Sequence, residues 1–193
     1  MKNYNTYLNP YNRYVLEFGN IYFIFMNSGS NYYLEPWNWA RVLGSGLFDE
    51  DISWLVNKLK NSYDFPFKII LMHHPAVNER DSYGVMFDVI AWNRQEFIDI
   101  CLNYDVDLVL SGHTHSSVVY DGNENIYNNY PLKCCEYSTL FVQSNDYKQH
   151  VNYRNITVLS DDNIIHDSVR IDFDPVSINV NRHQMFYEFI IKI

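Results

Sequence analysis

Two histidines one residue apart, His113 and His115, follow a short apolar run and a Ser-Gly pair in Leu108-Val109-Leu110-Ser111-Gly112-His113-Thr114-His115. In extended chain, side chains alternate faces with period two, so both imidazoles point one way, roughly 6–7 Å apart. Thr114 points the other way, and Gly112 allows a sharp turn as the strand ends. Imidazoles on one face at the tip of a buried strand begin a transition-metal site. Strand ends are also where open α/β sheets place their sites. H-x-H alone fits surface or hydrogen-bonded histidines equally.

A second stretch has the same design. Phe67-Lys68-Ile69-Ile70-Leu71-Met72 is mostly apolar and ends in His73-His74-Pro75. The proline biases His74 to an extended backbone. His73 and His74 then face opposite sides, so one of them joins His113 and His115. Three such histidines on two strand tips make a better metal site than either pair alone.

M-H-H-P after one strand and G-H-T-H after a later one resemble the C-terminal half of the calcineurin-like metallophosphoesterases. That family includes purple acid phosphatases, cyclic-nucleotide phosphodiesterases and protein phosphatases. Its pattern begins with D-x-H, G-D-x-x and G-N-H-[DE], and ends with a histidine after a strand and G-H-x-H. Only the last two elements occur here, at His73 and at Gly112–His115. Gly19-Asn20 and Gly122-Asn123 sit in turn-like contexts and do not replace the missing motif.

The resemblance implies an α/β fold, the C-terminal part of an α/β/β/α sandwich with mixed sheets. It implies a single domain over residues 1–193, truncated at its N-terminus. It implies two divalent transition-metal ions (Mn, Fe, Zn, Co or Ni) and a water activated between them to hydrolyse a phosphate ester. His73 and His113 would be ligands of one ion and His115 of the other. His74 would stand behind them or be merely structural, and Gly112 adjoins the site. From its own chemistry, Arg80 in the connection after His73 could hold a phosphate through its planar fork or be a solvated surface arginine. No catalytic acid or base is assigned in this chain, because the leaving-group histidine belongs to the absent motifs. Strands of the absent half would lie beside Phe67–Met72 and Asp107–Leu110, leaving those strands with unpaired edges here.

The elements that must position the histidines are legible. Ile52, Leu55, Val56 and Leu59 fall at i, i+3, i+4, i+7 and predict a helix over Asp49–Leu59, with Asp49 as its cap. Asn93 and Glu96 suggest a capping box for a second helix, Asn93–Asn103, with Phe97, Ile100, Cys101 and Tyr104 on one face. Tyr14–Phe18 and Ile21–Met26 read as a hairpin. Val118–Tyr120, Ser138–Gln143, Asn155–Leu159 and Ile164–Asp172 read as strands of a second sheet. Ile178–Ile193 reads as an edge strand or a docked tail. Aromatic residues Tyr32, Tyr33, Trp37 and Trp39 cap the core or stack on a substrate.

A length of 193 residues suits one domain, and 47% hydrophobic with 19% charged residues is globular. A net charge of −9 gives no basic footprint for nucleic acid. Three cysteines without C-x-x-C imply no disulfide framework; Cys101 reads as core, and Cys134-Cys135 as ordinary small side chains. No stretch reaches transmembrane length, and residues 1–13 carry no signal-peptide pattern. His166 has no partner motif.

Three functions follow from these residues. One is a two-metal phosphoesterase whose N-terminal half lies elsewhere. Another is a degenerate, non-catalytic relative that binds a metal or a partner. The third, an unrelated structural metal module, fits least, because structural sites are usually closed by a fourth protein ligand.

Overall fold

Tyr14–Phe18 (β1) and Ile21–Phe25 (β2) form an antiparallel hairpin, closed where Gly19 takes a left-handed backbone (φ 56°). The computed structural model describes residues 13–29, 45–78, 89–127, 132–133, 138–144, 154–159, 168–172 and 187–191. Tyr32, Tyr33, Trp37, Trp39, Arg80, Cys134, Cys135 and His166 lie outside the described residues.

Helix α1 spans Asp49–Lys60 and buries Ile52, Leu55 and Leu59, the stripe its periodicity predicts. Phe48, not Asp49, is its N-cap, and the Asp51 carboxylate accepts the Phe48 amide at 3.0 Å. Helix α2 spans Arg94–Asn103 and buries Phe97, Ile98, Ile100 and Cys101. The predicted capping box fails at Asn93. Its backbone is left-handed, and its side chain donates to the Leu47 carbonyl (3.0 Å) and to Asp49 Oδ1 (2.9 Å). It thus ties the starts of the two helices together.

The remaining strands are β3 (Phe67–Leu71), β4 (Leu108–Ser111), β5 (Val118–Asp121), β6 (Ile126–Tyr127), β7 (Leu132–Lys133), β8 (Leu140–Gln143), β9 (Arg154–Leu159), β10 (Ser168–Asp172) and β11 (Tyr187–Ile191). A mixed seven-stranded sheet runs β1-β2-β3-β4-β8-β5-β6. Its middle strands β2, β3, β4 and β8 are parallel, and β1, β5 and β6 are antiparallel to their neighbours. A second sheet, β11-β9-β10-β7, is antiparallel throughout rather than mixed. Among the described residues, Tyr187–Ile191 of the C-terminal apolar stretch is therefore an edge strand.

Period-two alternation sorts the middle strands onto two cores. Tyr22, Ile24, Ile70, Val109 and Phe141 face the helices, packed with Leu55 and Phe97. Phe23, Phe67, Ile69, Leu108 and Val142 face the other way, packed with Ile156 of β9. Among the described residues the layers run α/β/β, and each buried aliphatic or aromatic side chain contributes about 1.5–3 kcal/mol.

The expectation of unpaired edges fails. β3 is paired by β2 and β4, and β4 by β3 and β8. β2, earlier in the chain, and β8, later in it, take the places assigned to absent strands. The consequence is a row of four parallel strands whose C-terminal tips carry Ser28, His73, His113 and Gln143.

Candidate metal centre

The ladder between β3 and β4 runs on past both strands. Met72 N–H donates to the Leu110 carbonyl (3.0 Å), and Gly112 N–H donates to the His73 carbonyl (3.1 Å). That last bond brings the two histidine loops side by side. His73 Nε2 and His113 Nδ1 lie 3.3 Å apart, as the shared strand-tip design implies.

His74 joins them. Its ring centroid lies 4.7 Å from that of His73 and 4.4 Å from that of His113. One ligand atom from each of His73, His74 and His113 falls within 4.8 Å of the others. The expectation that His73 and His74 face opposite sides is corrected here. Alternation holds only while the chain is a strand, and β3 ends at Leu71.

Beyond β3, Ser28 decides the outcome. Its Oγ accepts the His74 backbone N–H at 2.9 Å and lies 2.9 Å from His74 Nδ1. With Nδ1 engaged by the hydroxyl, Nε2 is the nitrogen left for a cation. His74 is buried, His113 half-buried and His73 exposed, so the group opens to solvent at His73.

His115 is exposed and outside the group of three. Both it and His113 are left-handed (φ 52° and 67°), while Gly112 is not among the positive-φ residues. The turn assigned to Gly112 is made by the histidines themselves, and their same-face spacing in extended chain does not apply. Left-handed non-glycine residues carry strain and gather at functional sites. Gly112 has open space where a Cβ would sit.

Electrostatics favour neutral rings. Burial pushes His74 down to about 3, helped by the charges of His113 and His73. Burial likewise lowers His73, with smaller contributions from His113 and His115. A proton here is poorly solvated and repelled by its neighbours, so the lone pairs stay available. Three converging imidazoles are a donor set for one ion of the Mn-to-Zn series. Among the described residues no carboxylate belongs to the group.

Two more residues shape the loops, Ser28 and Gln143. Both escaped the sequence reading, although each lies within two residues of the end of an apolar strand run. Arg94 adds a tether, donating from Nε to the Ala76 carbonyl (2.6 Å) and from Nη2 to Glu124 Oε1 (2.8 Å).

Residues 1–117 match the sequence model of the calcineurin-like phosphoesterase family. A probable cyclic nucleotide phosphodiesterase of Coxiella burnetii is 32% identical over 89 residues, which are 46% of this chain and 35% of that protein. The chain thus spans about a third of the length of that curated relative. A purple acid phosphatase from yellow lupin seeds aligns with a TM-score of 0.44 and 16% identity, over 68% of this chain and 22% of that one. GAP50, the anchor in the inner membrane complex of Plasmodium, aligns with a TM-score of 0.39 and 14% identity, over 68% and 35%. Among the described residues no helix is long and apolar enough to cross a membrane.

Proposed function

This chain belongs to the calcineurin-like phosphoesterase family, and from that premise we propose that it supplies the histidine-bearing part of a metal-dependent phosphoester hydrolase. The observation that carries the proposal is the convergence of His73, His74 and His113 at the tips of parallel strands. His73 and His113 hold the first ion, with His74 Nε2 as a third donor in reach. His115 is reserved for a second ion, whose carboxylate ligands are not brought to the cluster by the described residues. When bound, such ions activate water at neutral pH and neutralise developing charge on the phosphoryl oxygens. The chain's own contribution is to keep three imidazoles converged, with His73 and His74 held neutral by burial, and open to substrate on the His73 side.

The substrate is a phosphate ester. The name of the Coxiella burnetii relative makes a phosphodiester the first one to assay. Mn, Fe, Zn, Co and Ni all suit the donor set. A second reading, a non-catalytic relative that binds metal without turning over substrate, draws on the absence of carboxylates from the group among the described residues.

Metal content decides first. The chain, loaded with Zn or Co and gel-filtered, should retain about one ion, and His113→Ala should retain none. Retention of metal by that variant, or none by the wild type, would remove the proposed site. Hydrolysis of bis(p-nitrophenyl) phosphate with added Mn then separates the two readings, since only the enzyme turns over.

A further inference from the structure

Gln143 is the last residue of β8, and its amide is fully buried after the apolar run Leu140, Phe141 and Val142. A buried amide is costly unless its donors and acceptors are matched. The contacts made here go to the two histidine loops. Oε1 accepts the Thr114 hydroxyl at 2.6 Å and the Ser116 hydroxyl at 3.1 Å. Nε2 donates to the Val77 carbonyl, three residues beyond His74. Thr114 Oγ1 and Ser116 Oγ are also 2.8 Å apart. Two hydroxyl protons serve three oxygen–oxygen contacts, so the triangle holds any two bonds at once.

We infer that Gln143 is the positioning residue that sets the separation of the two metal-binding loops, by joining Thr114 and Ser116 on one to Val77 on the other. Thr114 lies between His113 and His115, both left-handed. Holding its hydroxyl against a fixed amide holds that backbone in its strained form. β8 is the neighbour of β4 in the sheet, so the amide is anchored to the strand that carries the second loop. A hydrocarbon of the same length at this position would fill the space and remove this side-chain link, leaving only the backbone bond from Gly112 to His73 between the loops' first residues. The consequence for metal affinity rests on the proposed metal site; the consequence for loop geometry does not.

The test uses Gln143→Met, Thr114→Val and their combination. Ring-to-ring nuclear Overhauser contacts between His73 and His113, whose centroids are 5.1 Å apart, report the geometry in metal-free protein. Circular dichroism reports the fold, and titration with Co²⁺ reports affinity and the ligand-field spectrum. Each single variant should weaken the His73–His113 contact. Each should also lower Co²⁺ affinity about 10–100-fold, the range for partners that orient metal ligands, and shift the visible spectrum. The combined variant should be no worse than the poorer single one, because both break the same link. If Gln143→Met unfolds the chain, Thr114→Val alone must show the lost contact. A folded variant that keeps the His73–His113 contact overturns the inference, whatever Co²⁺ does. Failure of the wild type to bind Co²⁺ would count against the metal site, and the ring contacts would still decide the role of Gln143.

Discussion

The two histidine loops bring imidazoles to one place by different means. The loop after β3 is held from below. His74, Pro75, Ala76 and Val77 are buried, the Pro75 carbonyl accepts Ile90 N–H at 2.9 Å, and Ser28 fixes both the backbone and the ring of His74. The loop after β4 is held from the side. His113, Thr114 and Ser116 are half-buried, His115 is exposed, and two hydroxyls tie the turn to Gln143. Burial gives the first loop a ring that stays neutral and keeps one orientation. The second loop stores backbone strain at its histidines and depends on side-chain bonds to keep it. Rigidity and adjustability are thus divided between the two halves of one site.

The largest effect should come from removing the ring that both halves share. His113→Ala should lower affinity for the first ion by more than about a hundredfold, beyond the range seen when partners that only orient a ligand are removed. Calorimetry with Zn reads this, beside unchanged circular dichroism. His115→Ala should leave that affinity within about threefold, because its ring is outside the group, yet it should abolish hydrolysis if a second ion is used. Equal losses of Zn affinity in both variants would erase the distinction between the two histidines of the second loop.

Ser28→Ala attacks the first loop's anchor. It leaves a buried amide and a buried ring nitrogen without their hydroxyl, at about 1–3 kcal/mol of stability. Metal affinity should fall about 10–100-fold as His74 loses its orientation. Urea unfolding and Zn titration measure the two effects. A stability loss with full affinity would mean that His74 is not a ligand.

Gly46→Ala strikes the frame behind the same loop. Gly46 N–H donates to the Ser28 carbonyl at 2.8 Å. A Cβ there would sit 2.5 Å from Trp92 Cβ and 2.6 Å from Trp92 N. Backbone cannot yield as a flexible side chain can, so about 1–3 kcal/mol should be lost. A thermal melt unchanged within a degree would contradict the close approach.

The smallest effect serves as a control at the opposite end of the same strands. Burial pushes the Asp107 carboxyl up to about 6, against the Lys68 amide that donates to it at 2.8 Å. A carboxyl with a raised folded-state pKa binds its proton more tightly when folded. Stability is therefore greatest below the unfolded value near 4 and declines as pH rises through about 6. The expected change is roughly 1–2 kcal/mol after solvent screening. Asp107→Asn should flatten that window and leave Zn affinity untouched. A change in affinity would mean that the strand ends communicate.

Much of the sheet was legible because period-two alternation needs only the sequence. The runs at Phe67–Leu71 and Leu108–Ser111, the helix stripe of Ile52, Leu55 and Leu59, and the Gly19 turn all formed where local pattern placed them. The pairing of His73 with His113 was legible for the same reason, since two strands of one design end alike. Asn93 is the N-cap the sequence indicates, but the capping box does not form, because its side chain finds tertiary partners in place of its own helix.

The sequence by itself determined the strand tips, the two histidine motifs and the family to which they belong. Only the tertiary structure decided which atoms meet there. Alternation stops with the hydrogen-bonded ladder, so nothing local fixed the direction of His74 or the left-handed turns at His113 and His115. Those followed from the strand order, which sets β2 beside β3 and β4 beside β8. That order puts Ser28 against His74 and Gln143 against Thr114, residues far apart in the chain whose polar side chains can be buried only where the fold supplies their partners.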